Sequence, residues 1–268
     1  FKFYTALGIN LKATYGTAES AGCISVQDAQ DMSAEHAETM VGAPLLGVEV
    51  KVSDKEIFFK GSNAFKGYCR DEAHTSTVVS ADGWIKTGDI GDMVGQHIHV
   101  VERSDSVSKF SSGAEFLPKQ IENALKASTY IQDVVIIGEN REHMAALIVI
   151  NADTVGSWAD RQQMQFTGLR DLATKDEVTE LITAKVKEIN SSMEHVGGAN
   201  CPQIKRHTIL HKELNVSIGE MTRSRKIRRD IIANNYKALI DALYSGVDKY
   251  DVTDSNGELV AQLRLQTA

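Results

Sequence analysis

The rhythm of this sequence changes near residue 103, and that change constrains the fold more than any single motif does. From Phe1 to about Val101 the pattern is short strands between tight turns. Phe58-Phe59, Tyr68 and Ile98-His99-Val100 lie in strand-like runs, and Asp82-Gly83 marks a turn. After Arg103 helical spacings interleave with strands. Residues 118–128 carry Ile121 and Leu125 at i, i+4, with Pro118 near the first turn. Residues 134–137 and 146–150 read as two strands joined by the polar stretch 138–143. Thr174-Lys175-Asp176-Glu177 fits a capping box. Behind it Val178, Leu181, Ile182, Lys185, Val186 and Ile189 keep a 3.6-residue period, with the lysine snorkelling at the stripe's edge. A further helix is predicted from about Lys226 to Tyr244, with Ile227, Ile231, Leu239, Ile240 and Leu243 on one side. Asn256-Gly257 then predicts a two-residue hairpin turn before the alternation at Leu259, Ala261, Leu263 and Leu265. The expected fold is mixed α/β and α+β: a strand-rich domain over 1–104, then a small α+β domain over 105–268, with the boundary near residues 104–106.

The bulk numbers narrow the function classes. A chain of 268 residues supports one or two domains with a sizeable core. Its net charge of −7 argues against a general nucleic-acid binder. The three cysteines, Cys23, Cys69 and Cys201, are widely spaced with no C-x-x-C pair. A disulfide framework or structural zinc site is therefore not expected, and a reducing, cytoplasmic setting fits best. No run approaches the roughly 20 apolar residues that span a bilayer. Phe1-Lys2-Phe3-Tyr4 is not a signal peptide, and a start at Phe1 in place of Met leads to the expectation that the chain is part of something longer. Peripheral membrane contact is left to residues outside this stretch.

Three segments carry candidate chemistry. In Tyr15-Gly16-Thr17-Ala18-Glu19 an aromatic ring beside a glycine lets a base stack while the backbone approaches closely. Glu19, four residues on, suits Mg²⁺ bound to phosphate oxygens; the plainer reading is a surface turn with a helix-starting acid. In Gly83-Trp84-Ile85-Lys86-Thr87-Gly88-Asp89-Ile90-Gly91 a carboxylate at a flexible turn can accept both hydroxyls of a ribose, although such an Asp more often caps its own backbone. The basic run from Arg223 to Arg229 is either a solvated face or an anion-facing one. His97 and His99 share a strand face, but no carboxylate or third ligand accompanies them in sequence.

In this order and at these separations the three segments resemble the adenylate-forming enzymes, the family of acyl-CoA synthetases, luciferases and peptide-synthetase adenylation domains. Tyr15 to Glu19 resembles the family's Tyr-Gly-x-Thr-Glu, and 83–91 its Gly-Trp-x-x-Thr-Gly-Asp-x-Gly. Ser224-Arg225-Lys226-Ile227-Arg228-Arg229 resembles its final Ser-Gly-Lys-Ile-x-Arg. The resemblance implies that Tyr15, Gly16 and Thr17 contact the nucleotide, with Tyr15 against adenine. It also implies that Glu19 holds Mg²⁺, that Asp89 with Arg103 binds the ribose, and that Lys226 is the catalytic lysine of adenylation. By the same likeness Asp105 is the hinge between two catalytic poses, and Ser112 and Gly113 belong to a glycine loop that contacts the CoA pantetheine arm. Gly61 to Tyr68 looks like the family's Gly-Tyr structural motif and is read as scaffold. Two departures stand out: Ala18 replaces a Thr that bonds the α-phosphate, and Arg225 replaces the Gly of the last motif. The family's Ser/Thr/Gly-rich phosphate loop has no counterpart here. The expectation is thus the C-terminal part of the large AMP-binding domain followed by the small mobile domain of an acid–thiol ligase, inactive by itself.

Residues 176–229 look like the bacterial fatty-acyl type, implying fatty acid, ATP and CoA as substrates. The alternatives are another adenylate-forming activity, of the peptide-synthetase or luciferase kind, and a non-catalytic binding module or breakdown product.

Overall fold

The computed structural model describes residues 4, 6–28, 40–197, 201–254 and 256–268, without the side chains at 105 and 195–197. The chain divides into two compact units, Phe1–Val107 and Ser108–Ala268.

In the first unit, strands β1 (Thr14–Tyr15), β2 (Ser25–Val26) and β3 (Ala43–Pro44) form a small antiparallel sheet in that order. Strands β4 (Val48–Ser53) and β5 (Glu56–Gly61) are followed by helix α1 (Glu72–Val78). Then come β6 (Ile85–Val94) and β7 (His97–Arg103), and β4-β5-β6-β7 form an antiparallel meander. Alternation sets the faces: Ile57 and Phe59 of β5 and Ile85 of β6 point into one core with Tyr15, Ile24 and Ile98. Tyr68 lies in the loop before α1 rather than in a strand, because residues 64–68 follow the turn after Gly61 and pair with no neighbouring strand.

In the second unit, the hairpin of β8 (Ser108–Lys109) and β9 (Glu115–Phe116) leads into α2 (Pro118–Lys126), whose proline occupies the first helical turn. Next come β10 (Ile131–Ile137), β11 (Met144–Ile150), α3 (Ala152–Arg161), α4 (Leu169–Leu172), α5 (Asp176–Gly197) and β12 (Ile204–Ile209). The unit closes with α6 (Arg229–Asn235), α7 (Lys237–Ser245), the hairpin of β13 (Lys249–Thr253) and β14 (Leu259–Arg264), and β15 (Gln266–Thr267). The sheet order is β10-β11-β12-β15, with β11 and β12 parallel and the other pairs antiparallel. Every residue of β11 is buried because the sheet is covered on both faces. Met144, Ala146, Ile148 and Ile150 face a core shared with α2, α3 and α5. Ala145, Leu147 and Val149 face a second core built with α6, α7 and β14.

Three local expectations give way to tertiary structure. Thr174 does not cap α5; its hydroxyl donates to the Asp171 carbonyl at 2.8 Å, closing the preceding turn. The helix expected over 226–244 is two helices, broken at Tyr236 (φ −106°, ψ 17°) behind Asn234-Asn235, residues that favour competing backbone bonds over helix. Ile227 lies outside both and pairs with Met221 in an isolated β-bridge. The β13–β14 turn is longer than two residues. Asp254 N–H bonds Glu258 O, and the Asp254 side chain accepts from the N–H groups of Asn256 and Glu258.

Candidate functional site

The first unit places polar groups where its sheet would otherwise bury apolar ones. Along β6 the inward positions are Ile85, Thr87, Asp89 and Gly91. The Thr87 hydroxyl donates to Ile57 O at 2.8 Å and accepts from Asp89 N–H at 3.1 Å, so Asp89 lies not at the turn expected from sequence but in strand β6, where the register against β5 shifts around Gly88. Gly88 sits at φ +73°, a left-handed conformation that glycine adopts without strain, and a Cβ there would meet the Arg103 guanidinium at 3.2 Å. Gly91 is tighter still: a Cβ would lie 2.1 Å from His99 O across the ladder.

Asp89 stands directly opposite Arg103 in the β6–β7 register. Arg103 Nη1 lies 3.4 Å from Asp89 Oδ1 and 3.3 Å from Thr87 O. From the other side the Tyr15 hydroxyl donates to Asp89 Oδ2 at 2.6 Å. Tyr15 and Asp89 are both buried. Burial first, and then the bond to Asp89, push the Tyr15 phenol far above its ordinary range, so it serves as a neutral donor. The Tyr15 ring packs in the core of the unit. Gly16 beside it is obligatory, since a Cβ would come within 2.5 Å of the Gly22–Cys23 backbone.

Glu19 lies in a 3₁₀ turn, Ala18–Ser20. Its Oε1 accepts the Tyr68 hydroxyl at 2.5 Å. Partial burial opposes ionisation of Glu19, but hydrogen bonds, that from Tyr68 foremost, outweigh it and hold the carboxyl below its usual range. Tyr68 in turn is pushed up to about 12 by its bond to Glu19. Its ring stacks on His74 with centroids 4.3 Å apart and meets Phe65 edge-on at 5.0 Å. Asn63 Nδ2 donates to Ser20 O and Cys23 O, and Phe65 N–H donates to Glu19 O. The segment read from sequence as scaffold therefore clasps the Glu19 turn. Nothing local in the sequence announces this, because 49 residues separate Tyr68 from Glu19.

In the second unit Lys226 is exposed at a turn, not on a helix. Thr222 N–H bonds Lys226 O, and Lys226 N–H bonds the Thr222 hydroxyl at 3.0 Å. The basic run around it divides. Arg229 Nη2 pairs with buried Glu122 at 2.6 Å, and Arg225 Nη2 reaches buried Asp133 at 3.5 Å. The Lys226 ammonium has no ion-pair partner among the described residues. Glu220, fully buried, accepts from Asn215 N–H at 2.8 Å, while its backbone carbonyl takes Arg228 N–H. This anchors the base of the turn. Sequence reading gave no role to Glu220 or Glu122: Glu220 stood only as an acid just ahead of the basic run, and nothing local marked Glu122.

Arg225, at the position where the resembling motif has glycine, sits at φ +60°. Ser112 and Gly113 form the exposed tip of the β8–β9 hairpin, with Gly113 at φ +84° and its N–H on Phe110 O. Asp105 lies in a 3₁₀ turn, Ser104–Ser106, and its side chain is outside those described. The structure thus brings Tyr15, Asp89 and Arg103 together, with Gly16, Thr17 and Glu19 following Tyr15 in sequence. Lys226, Ser112 and Gly113 belong to the second unit. His99 does have a carboxylate neighbour, since its Nδ1 lies 2.8 Å from Asp92 Oδ1 across the ladder. The described residues nonetheless hold no cluster of three or more potential metal ligands. None of their helices is long and apolar enough to cross a membrane.

Residues 105–248 match the family model for the AMP-binding enzyme C-terminal domain. A long-chain-fatty-acid–CoA ligase of Mycobacterium bovis is 28% identical over 247 residues, covering 91% of this chain and 39% of that protein. Long-chain-fatty-acid–CoA ligase 1 of Cavia porcellus is 30% identical over 258 residues, 90% of this chain and 36% of its own length. The chain thus spans well under half of these relatives. Among solved structures, the A domain of carboxylic acid reductase from Segniliparus rugosus, in complex with AMP and a co-purified carboxylic acid, superposes with a TM-score of 0.65. Its sequence identity is 17%, over 91% of this chain and 37% of that one. O-succinylbenzoate coenzyme A synthetase from Bacillus subtilis, in complex with AMP, gives 0.58 at 18% identity, over 85% and 42% of the two chains. These two likenesses are of fold.

Proposed function

The chain belongs to the AMP-binding, adenylate-forming enzyme family, and from that premise we propose that it carries the ribose-binding and lysine-bearing parts of an AMP-forming long-chain fatty acid–CoA ligase. The observation that carries this reading is the buried Tyr15–Asp89 hydrogen bond with Arg103 in register opposite. A fixed carboxylate with a guanidinium beside it suits the diol of a nucleotide, and nothing in the packing of β6 otherwise calls for an acid at an inward position. The fatty-acid assignment is supported by the curated relatives at 28% and 30% identity.

A carboxylate is a poor electrophile, so one of its oxygens first attacks the α-phosphorus of ATP, forming acyl-adenylate and expelling pyrophosphate; CoA thiol then gives up its proton, attacks the acyl carbon and displaces AMP, a good leaving group. In the first step Asp89 and Arg103 hold the ribose, with Tyr15 and Gly16 forming the adenine side. Thr17 is the nearest hydroxyl to stand in for the one Ala18 lacks. Glu19 fits a hard cation as a single oxygen donor: Tyr68 occupies Oε1 and the carboxylate is not fully buried. It would hold the Mg²⁺ that accompanies the nucleotide phosphates and shields their charge. Lys226, a compact ammonium, would bridge the acyl carboxylate and the α-phosphate as charge develops there. Rotation at Asp105 would then bring the Ser112–Gly113 tip to the CoA pantetheine arm.

Calorimetry with AMP tests the core of this proposal. The chain should bind AMP weakly, and Asp89→Ala should lower the affinity by about tenfold or more, the loss of a charge-assisted contact. An unchanged affinity would remove Asp89 from the site.

A further inference from the structure

We infer that Tyr15 is a positioning residue for ribose selection: its hydroxyl fixes the Asp89 carboxylate in the orientation that receives two vicinal sugar hydroxyls. This rests on the nucleotide-binding reading above and assigns Tyr15 a role distinct from that of its ring face.

The two groups that hold Asp89 are unequal. Tyr15 Oη lies 2.6 Å from Oδ2, the short separation of an O–H donor on a carboxylate. Tyr15 belongs to the buried core that also holds Ile24, Ile57, Phe59, Ile85 and Ile98. Arg103 is a looser partner, with Nη1 at 3.4 Å from Oδ1 and a side chain 50% exposed. The backbone of Asp89 is pinned independently by Thr87. What remains free is rotation of the carboxylate about its own stem, and the buried phenol is the group that stops it. A carboxylate offers about four lone-pair sites. Tyr15 takes one on Oδ2 and Arg103 approaches Oδ1, leaving one site on each oxygen of a side chain that is 10% exposed. A cis-diol presents two O–H donors on adjacent carbons and matches two acceptors side by side on one carboxylate. A sugar lacking those hydroxyls leaves both acceptors without donors in a largely buried site, which is the condition for strong discrimination.

The test is calorimetry of the 268-residue chain with AMP and with 2′,3′-dideoxy-AMP. The wild type should prefer AMP, and Asp89→Ala should abolish the preference. Tyr15→Phe should reduce the preference about tenfold while leaving the dideoxy affinity within about twofold. Equal loss of both nucleotides in Tyr15→Phe, or an unchanged preference while Asp89→Ala loses it, overturns the positioning role and leaves the nucleotide reading standing. Absence of any Asp89-dependent preference overturns both. Asp89→Glu covers the case in which Tyr15→Phe does not fold. It keeps the charge but moves the carboxylate by one methylene relative to the phenol, and it should lose the preference as Asp89→Ala does. Retained preference in Asp89→Glu overturns the inference.

Discussion

The phenol of Tyr15 donates to Asp89 Oδ2 at 2.6 Å across 74 residues of sequence, and both side chains are buried. The bond ties β1 of the small sheet to β6 of the meander. The same contact therefore stabilises the first unit and orients the acid on which the proposed nucleotide site depends.

Tyr15→Phe leaves a buried carboxylate oxygen without its donor while preserving the ring's packing. It should lower the unfolding free energy of the first unit by about 1–3 kcal/mol. Urea unfolding followed by Trp84 fluorescence in a Trp158→Phe background reads this unit selectively, since the chain has only two tryptophans. A midpoint unchanged by Tyr15→Phe would mean that the phenol contributes no net stability.

His207 gives the second unit a calculable acid sensitivity. It is fully buried on β12, with Nε2 3.0 Å from the Thr183 hydroxyl. Burial, helped by Arg206 and Lys187, lowers its pKa from 6.5 to about 4. The unfolded chain therefore binds the proton more readily. The stability contributed by keeping His207 neutral is fully present above about pH 6.5 and is lost as pH falls toward 4, by up to roughly 3 kcal/mol. Thermal unfolding from pH 7 to 4 should show this slope, and His207→Gln should flatten it. An equal slope in the variant would assign the acid loss to other groups.

Arg225 holds a left-handed conformation, φ +60°, in the turn that presents Lys226. Its exposed side chain gains little from Asp133 at 3.5 Å. Arg225→Gly should therefore be more stable than Arg225→Ala by about 1–2 kcal/mol, the left-handed cost that only the glycine avoids. Comparison of the two midpoints decides it, and equal stability would show that the turn relaxes to accommodate alanine.

For Lys226 the expected pattern is selective, and it is read in an enzyme that contains both lobes and the upstream phosphate-binding part. Lys226→Ala should slow acyl-adenylate formation about 10²–10³-fold, the scale for removing one electrostatic donor at a developing charge. Thioester formation from supplied acyl-adenylate should be largely spared. Equal loss of both half-reactions would make the lysine structural.

What could be read in advance divides by distance along the chain. The helix at 118–126 and the parts 134–137 and 146–150 of strands that run over 131–137 and 144–150 were legible because proline placement and apolar spacing act within a few residues. The helix break at Tyr236 and the reassignment of Thr174 were not. There, bonds available only in the folded chain, such as Thr174 to Asp171 O, compete with the local preference. Tyr68 shows the same limit: its sequence neighbourhood looks like a strand, yet its hydroxyl serves Glu19.

By itself the sequence determined which residue types are available at each spacing. Pro118 ahead of Ile121 and Leu125 asked for a helix, and the apolar runs 134–137 and 146–150 asked for strands, whereas the turn expected at Thr87-Gly88-Asp89 is a bulge inside the continuous strand β6. Only tertiary structure decided which acids meet which donors: Asp89 with Tyr15 and Arg103, Glu19 with Tyr68, Glu122 with Arg229. The reason is physical. Periodicity and turn chemistry are satisfied by neighbours, whereas a buried carboxylate must be matched by donors that the fold, not the chain order, brings within hydrogen-bonding distance.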